Sequence, residues 1–70
     1  MEVPILRQIP CADAQALERA WLRVVDAHWV DGCTVDLPNL TLEVRALAPW
    51  RVRGAIEAQL AQVERVAQGG

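Results

Sequence analysis

Thr34-Val35-Asp36-Leu37-Pro38-Asn39-Leu40-Thr41-Leu42-Glu43-Val44-Arg45 is the stretch that decides the fold. Two runs of alternating apolar and polar residues flank Pro38-Asn39, and a period of two marks strands with one buried face. Folded across a two-residue loop, Leu37 stands opposite Leu40, Val35 opposite Leu42 and Cys33 opposite Val44. All six then share one face. Asp36 with Thr41, Thr34 with Glu43 and Gly32 with Arg45 take the other. A slip of one residue would mix the two sets, so the register is strongly specified. Pro38 conflicts with the usual type I′ turn, because its ring holds φ at about −65°. A type I or II turn with local distortion, or a longer loop, is expected there.

An isolated hairpin is marginal in water, so its apolar face needs cover. Upstream, Ala14, Leu17, Trp21, Val24, Val25 and His28 recur at helical spacing, which predicts a helix over 11–28. Pro10 suits its first turn, and Asp13 is either its N-cap or a first-turn carboxylate. Downstream, Val52, Ile56, Leu60, Val63 and Val66 or Ala67 form a second stripe. That helix is expected over 49–67, opened by Pro49 and closed by Gln68-Gly69-Gly70. Within residues 1–10, Val3, Ile5 and Arg7 alternate with Pro4 and Leu6, and Pro4 and Pro10 bracket the segment. This pattern fits a short edge strand or an extended arm. The expected architecture is α+β: residues 1–70 form one small domain of helix, β-hairpin (33–45) and helix. Both helices pack on one face of a small antiparallel sheet.

The chain has 70 residues, of which 53% are apolar. A domain of this size buries only roughly 60% of the surface its unfolded chain exposes. There is thus more apolar side chain than a small core hides, and a second copy or another protein is expected to cover the remainder. Net charge is −2, and every Lys or Arg position is Arg. With no run of basic residues, the charge argues against a nucleic-acid partner. No stretch reaches the roughly 20 apolar residues that span a bilayer, and the N-terminus lacks a basic start followed by an apolar block. These features predict a cytoplasmic protein with reduced thiols. Cys11 and Cys33 allow one disulfide at most.

Candidate chemistry is thin. The chain has no Ser, so a Ser-His-Asp triad is impossible, and no acidic pair stands out as acid and base. Cys11, His28 and Cys33 fall short of the four ligands of a structural zinc site, and no Gly-rich phosphate loop is present. No catalysis, no cofactor and no metal are expected. A binding surface has more support. Gly54, Ala58 and Ala61 form a row of small residues on the second helix, flanked by Arg51 and Arg65. Gly in a helix interior costs about 1 kcal/mol relative to Ala, so Gly54 asks for a reason. Trp29 and Trp50 add two indoles of the kind enriched at interface centres. The expected function is a non-catalytic protein–protein interaction or assembly module, acting as adaptor, homo-oligomer or inhibitor. The alternative is a nucleic-acid binder using Arg51, Arg53 and Trp50, aided by Arg7 and Arg45.

The pattern from Gly32 to Arg45, followed by an amphipathic helix, resembles two kinds of small module. One is the small head–tail joining proteins of tailed phages. The other is the hairpin-containing docking domains of peptide and polyketide assembly lines, from which Ala46 to Trp50 departs in length. Either resemblance implies a phage structural connector or an assembly-line docking unit, and both imply assembly without catalysis.

Overall fold

Strand β3 (Thr41–Pro49) is the middle of the sheet, and the rest of the chain is arranged around it. The computed structural model describes residues 2–69. In chain order the elements are β1 (Glu2–Pro10), α1 (Ala14–Val24), β2 (Val30–Asp36), β3, a short 3₁₀ turn (Trp50–Val52) and α2 (Arg53–Ala67). The sheet order is β1-β3-β2, with both outer strands antiparallel to β3. β1 and β2 therefore run parallel with β3 inserted between them, which is a split β-α-β unit. The α+β expectation holds, and so does the N-terminal edge strand. The helix, hairpin, helix order sits inside this larger frame.

The hairpin register matches the sequence pattern: Val35 faces Leu42, Cys33 faces Val44, and Asp36, Thr34 and Gly32 face Thr41, Glu43 and Arg45. The turn does not. It takes four residues, Leu37 to Leu40, closed by a bond from the Leu40 N–H to the Leu37 carbonyl. Pro38 accepts the type I geometry, and Leu40 then closes the loop at φ 48°, a left-handed conformation uncommon for a non-glycine residue. Leu37 is thereby expelled from the core and is 62% exposed, contrary to the two-residue loop reading.

Other boundaries shift for related reasons. Pro10 and Pro49 are the last residues of β1 and β3 and do not open helices. Helix α1 begins at Ala14 and ends at Val24, shorter than the expected 11–28, and Asp13 is its N-cap. The Asp13 carboxylate accepts the Ala16 N–H at 2.8 Å. Asp13→Ala is expected to cost about 1 kcal/mol, measured as a shift of the urea midpoint.

The phase of β1 can be read from one bond. The Cys11 N–H donates to the Leu40 carbonyl at 2.8 Å. Odd-numbered residues of β1 therefore point their peptide groups at β3, and even-numbered ones point them outward. Pro4 and Pro10 both fall on the outward side, where a missing N–H breaks no ladder bond. By the same alternation, odd-numbered residues of β3 serve β2, and Cys33 and Val35 of β2 direct their peptide groups out of the sheet.

The core lies between the sheet and both helices. Ile5, Ile9, Leu42, Val44, Ala46 and Ala48 meet Leu17, Ala20 and Val24 of α1 and Ile56, Leu60, Val63 and Ala67 of α2. Helix α1 uses Ala16 and Ala20 at the buried face, where sequence spacing pointed to Ala14 and Val25, which are exposed. Arg7 lies on the helix side of β1 between Ile5 and Ile9. It donates hydrogen bonds to Glu57 and, at 3.1 Å, to Glu64, two turns apart on α2. These two bonds hold the guanidinium pKa above its ordinary value and tie β1 to α2.

Candidate functional site

β3 outruns β2. The last paired residue of β2 is Val30, opposite Ala46, so Leu47, Ala48 and Pro49 have no β2 neighbour in register. The chain then passes through the Trp50–Val52 turn into α2, which leaves a groove of about 640 Å³ between strand end and helix. Leu47 and Pro49 form one side. His28 and Trp29, just before β2, form the end wall, and Val52, Ala55, Ile56 and Gln59 supply the helix side. The lining is mainly apolar, with His28, Gln59 and the indole N–H of Trp29 as the groups able to hydrogen-bond.

Trp50 stands in the turn between two groove residues, Pro49 and Val52, and is 63% exposed. The Arg51 guanidinium carbon lies 5.9 Å from the indole centroid, within the range of a cation–π contact. Leu47 is 48% and Val52 45% exposed beside it. Leu6 lies diagonally across from Leu47 on the sheet face that no helix covers.

Of the sequence candidates, the structure brings Trp29 and Trp50 to this one place, Trp29 half-buried in the wall and Trp50 projecting from the turn. Gly54, Ala58 and Ala61 are all exposed, as are Arg51 and Arg65. This row lies about 100° round α2 from Ala55 and Gln59, so it borders the groove without lining it. Nothing approaches within 4 Å of a methyl group built on Gly54. Gly54→Ala is accordingly expected to raise stability by about 0.5–1 kcal/mol, seen as a higher Tm. Leu47 was missed from sequence, and Val52, read there as part of the second helix's apolar stripe, lies before α2 and is exposed. Ala46 and Ala48 keep an apolar residue at every second position after Leu42 and Val44, and that was the signal for a longer strand.

The thiols and the imidazole do not assemble. Cys11 is level with Leu40 on one side of β3, and Cys33 is level with Val44 on the other. Two strand spacings of about 4.8 Å separate them, beyond the roughly 7 Å limit for a disulfide. Burial raises both thiol pKa values above the ordinary range, so neither is an activated thiolate at neutral pH. Among the described residues, no three His, Cys, Asp or Glu gather to hold a metal ion, and no helix is long and apolar enough to cross a membrane.

The distribution of apolar residues is unusual. Among the described residues, five of the fourteen buried apolar positions are Ala (16, 20, 46, 48 and 67). Meanwhile Leu6, Leu22, Val25, Val35, Leu37, Leu47, Trp50 and Val52 are each at least 40% exposed. Alanine thus takes several core positions while many large apolar residues face out. Compared with protein-family models, with curated proteins and with solved structures, the chain matches none.

Proposed function

We propose that this chain is a non-catalytic protein-interaction module that binds another protein through the Trp50 turn and the adjoining groove. The observation that carries the reading is the exposed indole of Trp50 set beside an apolar groove, with Leu47 and Val52 uncovered around it. A projecting aromatic next to a pocket is the usual make-up of an interface centre, where one anchor enters the partner and one partner side chain enters the groove. Gln59 and His28 then fix orientation by hydrogen bonds at the groove wall.

The test compares wild type, Trp50→Ala and Gly54→Ala as baits in quantitative affinity capture from the native cell. Any partner so identified is then measured in purified form. The expected result is one partner that Trp50→Ala loses and Gly54→Ala keeps. A partner retained in full by Trp50→Ala would overturn the reading. The nucleic-acid alternative predicts a salt-dependent shift of labelled DNA or RNA that weakens with Arg51→Ala and Arg53→Ala. No shift at low salt removes it.

A further inference from the structure

The two edges of the sheet are not equivalent. On β1 the outward peptide groups belong to Glu2, Pro4, Leu6, Gln8 and Pro10, and two of these five residues have no N–H to offer. On β2 they belong to Cys33 and Val35, and the strand contains no proline. On β1 proline interrupts the ladder on either side of Leu6 and Gln8, whereas no proline of β2 breaks the pattern at Cys33 and Val35.

Side chains next to that edge are unfinished on both faces. On the helix side, Val35 is 40% and Leu37 62% exposed, beside a shallow groove of about 290 Å³ that Leu17 and Trp21 of α1 also line. On the open side, the Arg45 guanidinium lies directly over Gly32. A methyl group at Gly32 would stand 2.6 Å from Nη2 and 3.1 Å from Cζ. Only the absence of a side chain at position 32 lets the guanidinium lie there. Among the described residues, Arg45 has no carboxylate within ion-pair distance. Asp36, on the same face of β2, points its carboxylate into the exposed turn, where its only partner is Asn39.

Thr34 is midway between Gly32 and Asp36. We propose that a second copy of this chain docks on the outer edge of β2, strand to strand and antiparallel about Thr34, joining two three-stranded sheets into one of six strands. Cys33 of each copy then faces Val35 of the other, and these are the two residues whose peptide groups point outward, so the ladder bonds close. In the same register Asp36 of each copy comes opposite Gly32 of the other. Its carboxylate meets the Arg45 guanidinium already lying there, twice by symmetry. The two Val35 side chains lie on the diagonal across the axis, within contact reach on the helix face. The contact is isologous, as expected for a two-fold dimer. This surface lies apart from the Trp50 turn, so the two readings stand or fall separately.

Sedimentation velocity over a concentration series, together with native mass spectrometry, tests the proposal on the full chain. Wild type is expected to form a concentration-dependent dimer, with amide exchange at Cys33 and Val35 slowing as the dimer fills. Val35→Pro removes an outward N–H that the monomer does not use. It should weaken dimerisation tenfold or more while the circular dichroism spectrum is kept, a drop of roughly that size being typical where a central contact is lost. Asp36→Arg sets Arg against Arg, and Arg45→Asp sets Asp against Asp, so each alone should weaken the dimer and the two together should restore it. A chain that stays monomeric throughout overturns the proposal. So does a dimer that Val35→Pro and both charge variants leave intact; if Trp50→Ala dissolves that dimer, self-association belongs to the Trp50 turn. Binding of an extended segment of a different protein on β2, with no dimer, overturns it equally.

Discussion

Leu42→Ala is expected to remove a third or more of the protein's folding stability. Leu42 is fully buried in the central strand, between Ile9 across the β1 ladder and Val35 across the β2 ladder. It is among the largest fully buried side chains, and Ala46 and Ala48 further along the strand are too short to fill the cavity its removal opens. Truncating a buried Leu costs about 3–5 kcal/mol. A chain of 70 residues has a total stability of roughly 4–10 kcal/mol at the usual value per residue. Urea unfolding followed by circular dichroism should show the midpoint falling by a third or more. Leu37→Ala is the internal control. The residue type is the same and lies five positions earlier, but it is 62% exposed in the turn and should change stability by no more than about 0.5 kcal/mol. Equal losses in the two variants would mean that the hairpin pairs in another register.

Trp50→Ala is expected to do the opposite: large on binding, small on folding. An indole that is 63% exposed contributes little to the core, so Tm should move by only a few degrees. Aromatic anchors at interface centres are worth about 2 kcal/mol or more when truncated, which is a loss of about 30-fold in affinity for the partner. Calorimetric titration of that partner with both proteins reads the difference. A drop in Tm comparable to that of Leu42→Ala would instead place Trp50 among the residues that hold the fold together.

The hairpin register was legible because a slip by one residue exchanges a buried face for a polar one, and five of its six side-chain pairs obey that rule. The sixth, Leu37 with Leu40, failed because loop geometry overrode alternation. Pro38 demanded a type I turn, and the extra residues took Leu37 out of the sheet. Both helix starts were misplaced for one reason. Proline is at home in the first turn of a helix and also at the edge of a sheet, and Pro10 and Pro49 carry nothing in themselves to separate the two. What separates them is the phase of the neighbouring strand, a property of long-range pairing. The alanine-rich face of α1 was misread because Ala14, Ala16 and Ala20 are equally apolar on paper, and only the close approach of the sheet selects two of the three. Trp29 and Trp50 were identified from residue type alone. That Trp29 lines the groove while Trp50 sits in the turn beside it depends on β3 running four residues past Arg45.

The placement of Pro4 and Pro10 has a consequence for how far such a molecule can grow. Polymerisation by strand addition needs two competent edges per subunit, one to accept and one to offer. Here proline at two outward positions of β1 confines any ladder on that side to a short stretch, so in the proposed dimer a single joining event uses the one uninterrupted edge. A concentrated solution of this protein is therefore steered toward a closed, countable assembly and away from a fibril. Restoring donors with Pro4→Thr and Pro10→Thr would remove that ceiling.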